Sequence, residues 1–146
     1  MDDAERTIND CVNTIKCMIK DGRFLPGAGA IEIMMATEIA NFAKTNPGLD
    51  QYAIEKFGQA LEVIPRTIIE NAGHKAEELI AALYTETQKS KTVGIDVEAG
   101  TVAEVKVYDS FEVKMWAIRL ALDAVLTILK IDQVCPDFIK QIANNG

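Results

Sequence analysis

The chain is poor in metal-binding side chains. It has 146 residues, with one histidine and three cysteines, which is too few for the usual structural zinc sites. Cys11, Cys17 and Cys135 form no C-x-x-C pair, so neither a zinc ribbon nor a thioredoxin-like motif is indicated. An odd number of widely spaced thiols is typical of a reducing compartment. We therefore expect a cytoplasmic protein that uses no metal site built from its own side chains.

Runs of basic residues are also absent. Fifteen Lys and Arg residues face 22 Asp and Glu residues, for a net charge of -7. A nucleic-acid binder would show a basic stripe, so this class is excluded. The first ten residues are acidic and polar, which does not match a signal peptide. Charges at Arg119, Asp123 and Lys130 interrupt the apolar stretch 115–131, which favours a buried helix over a membrane span.

At 146 residues the chain is one domain or a piece of a larger domain. Its hydrophobic pattern predicts a mainly α fold, because apolar positions recur at helical spacing along most of the chain. Helices are predicted over residues 4–20, 30–44, 50–71, 76–88 and 111–134. Pro65 should kink or restart the third of these helices. We expect the tail 136–146 to be poorly ordered.

One short region has strand character instead. Val93, Ile95 and Val97 alternate with polar residues, which predicts a β-strand. Val105 and Val107 could form its partner across the turn at residues 99–101, giving one small β-hairpin.

The turn Pro26-Gly27-Ala28-Gly29 lies between two predicted helices. It could be a plain helix-to-helix connection, since short glycine turns are common there. Alternatively, glycines let the backbone approach a sugar or phosphate closely, and the next helix presents unpaired N–H groups. The spacing alone does not decide between these interpretations.

Two aspartates are further candidates. Asp10 could lie on a solvated helix face, or it could orient a water molecule or a metal near a phosphate. Asp109 and Ser110 precede the last helix, where both residue types are favoured as N-caps. Asp109 could instead accept hydrogen bonds from ribose hydroxyls, as acidic residues do in other nucleotide sites.

Five motifs in order resemble the group II chaperonins, the family of the archaeal thermosome and the eukaryotic cytosolic chaperonin. They are ERTINDCV at 5–12, LPGAGAIE at 25–32, the IPR to ENAG stretch at 64–73, Asp109 followed by KMWAI at 114–118, and IDQV at 131–134. The resemblance implies the helical half of a chaperonin equatorial domain. Residues 1–22 would end the intermediate domain, 23–135 would form the C-terminal part of the equatorial ATP-binding domain, and 136–146 would be a tail.

The same resemblance implies roles for the candidate residues in a site for ATP or ADP with Mg²⁺. Asp10 would position the water that attacks the γ-phosphate. Gly27, Ala28 and Gly29 would lie along the nucleotide near its ribose, with Gly94 near the adenine and Asp109 on the ribose hydroxyls. The whole subunit would be an ATPase that folds other proteins in a hetero-oligomeric double ring.

The chain departs from the family pattern in ways that affect this expectation. The family's G-P-x-G phosphate loop and G-D-G-T-T motif are absent from the sequence, as is the apical domain that grips unfolded clients. Ala28 replaces the middle glycine of a family triplet, and the stretch between Glu98 and Asp109 is short. We therefore expect a fragment that carries half of a nucleotide site and is inactive alone. The alternative is a free-standing α-helical scaffold or assembly module without ATPase activity.

Overall fold

The computed structural model describes residues 2–90, 92–104 and 106–131. Helices dominate these residues, which confirms the mainly α fold class. In chain order the elements are α1 (Asp2–Lys20), β1 (Phe24–Pro26), α2 (Ala30–Thr45), α3 (Asp50–Leu61), α4 (Val63–Asn71), α5 (Ala76–Lys89), β2 (Val93–Asp96), β3 (Thr101–Glu104), β4 (Tyr108–Ser110) and α6 (Phe111–Leu129). The described chain divides into two compact units, one ending at Phe111 and one beginning at Glu112.

The core of the first unit lies where α2, α4, α5 and β2 meet. Ile33, Ile69 and Leu83 are completely buried, and Ile80 and Ile95 pack with them. These residues lie on the apolar faces of their helices and on the inward face of one strand. The hydrophobic pattern predicts that such faces are buried.

The break between α3 and α4 falls at Glu62, three residues before Pro65. Pro65 then occupies the first turn of α4, where its missing N–H would have no helical partner in any case. Glu62 itself ties this break to α5. Its Oε1 accepts a hydrogen bond from Arg66 Nη2 at 2.7 Å, and its Oε2 accepts one from Tyr84 Oη at 3.1 Å.

The predicted hairpin is present, but its second strand is not the predicted one. β2 pairs with β3 in antiparallel register, with Gly94 opposite Ala103 and Asp96 opposite Thr101. Asp96 sets this register, because its Oδ1 accepts hydrogen bonds from two N–H groups of the turn. The partner strand therefore starts at Thr101. Val107 lies outside it, and Val105 lies outside the described residues.

A second two-stranded sheet was not predicted. β1 and β4 are antiparallel, with Phe24 opposite Ser110, Leu25 opposite Asp109 and Pro26 opposite Tyr108. Strands of three residues are too short to show alternation, so the sequence gives no periodic signal for them.

The described part of the second unit is essentially α6. The helix ends at Leu129 rather than at 134, with Lys130 and Ile131 outside it, and residues 132–134 are outside the described part of the chain. Among the described residues no α6 side chain is buried, and Trp116 is 44% exposed. The burial expected of this helix is burial inside a larger protein, and it stays a prediction. None of the described helices is long and apolar enough to cross a membrane. The predicted tail 136–146 also lies outside the described residues.

Candidate functional site

The glycine-rich turn joins β1 to α2 and adopts a left-handed backbone. Ala28 has φ 54° and Gly29 has φ 80°, and Ala28 is the only described non-glycine residue with positive φ. This conformation brings the Cβ of an L-residue close to its own backbone, so alanine is unfavourable there. The turn is closed by a hydrogen bond from Ala30 N–H to the Gly27 carbonyl at 3.1 Å.

Internal packing accounts for both glycines of the turn. A Cβ on Gly27 would lie 3.0 Å from Val107 Cγ1, and one on Gly29 would lie 2.8 Å from Pro65 Cβ. Gly27 N–H also donates to the Val107 carbonyl at 2.9 Å. The connection interpretation is therefore sufficient to explain the choice of glycine. The same backbone would also let a ligand approach closely.

Gly94 is brought against this turn by β2. A Cβ on Gly94 would lie 2.9 Å from the Ala28 Cβ and 3.2 Å from the Ala28 carbonyl oxygen. The next residue, Ile95, donates its N–H to that carbonyl at 3.0 Å. This hydrogen bond joins the turn to the hairpin.

Asp109 is held beside the turn by the sheet of β1 and β4. It lies opposite Leu25, and β1 leads directly into Gly27. Phe111 N–H donates to the Arg23 carbonyl at 3.1 Å, and the Arg23 guanidinium carbon lies 3.9 Å from the centre of the Phe111 ring. Asp109 is partly buried in this strand, so pairing with β1 fixes its place next to the turn.

The start of β1 is also held by an ion pair. Arg23 Nε donates to Asp21 Oδ1 at 2.8 Å, and this hydrogen bond holds the pKa of the Asp21 carboxyl below its usual value.

Ser110 Oγ is buried and has no hydrogen-bond partner among the described residues. The capping interpretation of Ser110 therefore gains no support.

An open cavity of about 410 Å³ lies beside the turn, within the size range of small-molecule sites. Its walls combine apolar side chains with three carboxylates and one ammonium group. The lining residues are Ala28, Ile68, Ile95, Asp96, Val97, Glu98, Glu104, Lys106 and Val107. Only Ala28 was a sequence candidate. Asp96 and Glu98 occupy polar positions of the alternating stretch, but nothing in the sequence singles out Ile68, Glu104 or Lys106.

Asp10 is not brought to this cluster. It lies midway along α1 on an exposed face, and the described residues that line the shallow groove around it, Thr7, Cys11, Thr14 and Ile15, all belong to α1. No hydrogen bond or ion pair reaches its carboxylate within residues 2–90, 92–104 and 106–131. Its carboxylate is therefore accessible, but the described chain supplies no second wall opposite it.

No group of three potential metal ligands occurs among the described His, Cys, Asp and Glu residues. Of the residues predicted from the sequence, the structure brings five together around one turn and leaves Asp10 apart from them. The five are Gly27, Ala28, Gly29, Gly94 and Asp109.

Comparison with known proteins agrees with the motifs. The model of the TCP-1/cpn60 chaperonin family matches residues 1–138. T-complex protein 1 subunit theta of Mus musculus is 46% identical over 140 residues, which cover 92% of this chain and 26% of the relative. The same subunit of Arabidopsis thaliana is 45% identical over 138 residues, covering 92% of this chain and 25% of the relative.

A solved structure shares the fold. The open-state monomer of a group II chaperonin from Methanococcoides burtonii superposes with a TM-score of 0.79 at 31% identity, covering 89% of this chain and 33% of that one. The chain spans about a quarter of the length of the curated relatives it matches. The resemblance to the group II chaperonins is thereby confirmed, and the chain belongs to the TCP-1/cpn60 chaperonin family.

Proposed function

We propose that this chain is part of a theta-like chaperonin subunit and contributes half of its ATP site. The subunit would act in the cytoplasm, in a hetero-oligomeric double ring that folds other proteins at the expense of ATP. Unfolded clients would be held by an apical domain outside this chain. Family membership supports the general assignment, and the arrangement around the turn supports the site.

The observation that carries the proposal is that three segments, the turn, β2 and β4, lie together beside a cavity lined by Ala28 of the turn and by Ile95 and Asp96 of β2. One hydrogen bond, from Ile95 N–H to the Ala28 carbonyl, links the turn to β2, and sheet pairing places Asp109 opposite Leu25, two residues before Gly27. Gly27, Ala28 and Gly29 would lie along the ribose, Gly94 would face the adenine side, and Asp109 would accept the ribose hydroxyls. A carboxylate suits the last role, because it can accept two hydrogen bonds from neighbouring hydroxyls.

The charges around the cavity support one orientation of the nucleotide. Asp96, Glu98 and Glu104 outnumber Lys106 in the lining. Anionic phosphates are repelled by this excess of carboxylates, whereas an uncharged base is not. The base would therefore occupy the cavity, and the phosphates would extend away from it.

The phosphate end of the site would be completed by residues outside this chain. Mg²⁺ prefers near-octahedral oxygen coordination and is usually held by one or two carboxylates together with substrate phosphates. The described residues offer no metal cluster. The ion would be held by the phosphates and by the rest of the subunit. Asp10 would orient the water that attacks the γ-phosphate once the rest of the subunit brings it to the site. An exposed carboxylate without an ion pair is suited to that task.

Titration of the isotope-labelled chain with Mg²⁺ and ADP, followed by nuclear magnetic resonance, tests the site. We expect weak binding, with amide shifts at residues 27–29, 94–98 and 109, and no ATP hydrolysis by the chain alone. Tripolyphosphate, which lacks both the base and the ribose, is the control and should leave residues 94–98 unchanged. Shifts spread at random over the chain, or micromolar ATP affinity by calorimetry, would contradict the half-site.

A further inference from the structure

His74 connects two parts of the chain that lie far apart in sequence. Its ring Nε2 donates a hydrogen bond to the Val97 carbonyl oxygen at 3.0 Å, since a carbonyl can only accept. Val97 begins the turn between β2 and β3, whereas His74 follows the end of α4. The imidazole therefore joins the α4–α5 connection to the hairpin.

The backbone of His74 is fixed by the way α4 ends. His74 N–H donates to the Ile69 carbonyl at 3.1 Å, and Gly73 N–H donates to the Glu70 carbonyl at 2.9 Å. Together with φ 81° at Gly73, these bonds form a Schellman motif. The imidazole is thus attached to a defined helix end rather than to a loose loop.

The ring also packs against the far side of the turn. A Cβ on Gly100 would lie 2.6 Å from His74 Cε1 and 2.8 Å from Nδ1, so the imidazole occupies the space of a side chain at that position. Gly100 has φ 64°, which also favours glycine. His74 therefore contacts both ends of the turn 97–100.

Asp96 holds the same turn from within. Its Oδ1 accepts hydrogen bonds from Glu98 N–H at 3.0 Å and Ala99 N–H at 3.1 Å, and its carbonyl accepts one from Gly100 N–H at 2.9 Å. Asp96, Val97 and Glu98 form one wall of the 410 Å³ cavity, which Ala28 also lines. A shift of this turn would change the width of the cavity.

We propose that His74 is a positioning residue of the nucleotide site, which sets the place of the cavity wall that faces the base. This inference rests on the proposed function. The imidazole does not line the cavity, so it acts through Val97 and Gly100 and not by touching the nucleotide.

The test compares ADP binding to the 146-residue chain and to its variants by nuclear magnetic resonance, with Mg²⁺ present. Loss of one hydrogen bond worth about 1 kcal/mol corresponds to about a fivefold rise in the dissociation constant, and we expect that rise in His74→Ala. His74→Gln keeps a nitrogen donor and should lie closer to the unmodified chain. Should His74→Ala fail to fold, His74→Phe keeps the ring against Gly100, removes only the donor, and should show the same rise.

The matched control is Tyr84→Phe, which removes a side-chain hydrogen bond of 3.1 Å elsewhere in the same unit. It should lower stability without changing the dissociation constant, because Tyr84 does not line the cavity. Two outcomes would overturn the role of His74 and leave the proposed function standing. One is equal ADP affinity in all variants, and the other is a loss of ADP affinity in Tyr84→Phe as large as that in His74→Ala. Failure of the unmodified chain to bind ADP would overturn the proposed function and, with it, this inference.

Discussion

Gly94 lies directly against Ala28, and the contact leaves no room for a side chain on the strand. The position of a Cβ on Gly94 is 2.9 Å from the existing Ala28 Cβ, well inside the contact distance of two methyl groups. Ala28 is itself in a left-handed conformation. The one alanine in the glycine-rich turn therefore makes glycine necessary in the neighbouring strand.

Gly94→Ala should destabilise the chain by about 1–3 kcal/mol, the usual cost of an extra methyl group in a well-packed place. Ala28→Gly removes the opposing methyl, so the double variant should recover part of that loss. Urea unfolding of the four proteins in a double-mutant cycle measures the coupling. Gly22→Ala is the control, because a Cβ there meets nothing within 4 Å. Additive effects of the two substitutions would show that the methyl groups do not meet.

Gly29→Ala should cost more than Gly73→Ala, although both glycines have nearly the same φ, 80° and 81°. Each alanine pays about 1 kcal/mol for the left-handed backbone. At position 29 the methyl also overlaps Pro65 Cβ at 2.8 Å, whereas position 73 is open. The free energy of unfolding in urea should therefore fall by roughly 1–3 kcal/mol more for Gly29→Ala. Equal losses would mean that the turn can move away from α4.

Tyr84 should give a distinct alkaline transition. Burial, followed by the nearby Glu62 carboxylate and its hydrogen bond, raises the pKa of Tyr84 from 10.0 to about 12. Because the folded-state pKa is raised, the stabilisation is fully present below pH 10 and is lost as the pH rises towards about 12. The phenolate absorbance change near pH 12 should be absent in Tyr84→Phe. A titration of the unmodified chain without that component would contradict the burial of Tyr84 beside Glu62.

Asp10→Asn should have little effect on the chain itself and a large effect on the longer subunit. The side chain is exposed and unpaired within the described residues, so stability should change by less than about 0.5 kcal/mol. In the longer subunit, ATP binding should persist while single-site hydrolysis falls by roughly a hundredfold or more. Asp3→Asn, also on an exposed part of α1, is the control. Unchanged single-turnover hydrolysis would remove Asp10 from the mechanism.

The helices could be predicted well because their ends carry strong local signals. The predicted starts at Ala30 and Ala76 agree with the structure, and each of these helices ends one residue later than predicted. Glycine and proline next to the helix ends act within a few residues, so a single sequence is enough to find them. The α3–α4 break was placed less well, because a proline is tolerated in the first turn of a new helix.

The sheet of β1 and β4 and the cavity wall could not be found in this way. Both depend on residues that are distant in sequence, such as Leu25 with Asp109 or Ala28 with Gly94. The hairpin register was missed because the valine pattern suggested a later strand, whereas hydrogen bonds to Asp96 fix the turn earlier. Side-chain acceptors in turns decide such registers locally and leave no periodic pattern.

The size of the native protein tests the central claim most directly. An antibody against this chain would be used on a lysate of the source cells, once after denaturation and once on a native gel. The account predicts a denatured band several-fold above 16.0 kDa that migrates natively in a very large particle. A band near 16.0 kDa outside any large particle would contradict the ATPase subunit and favour the free-standing helical scaffold.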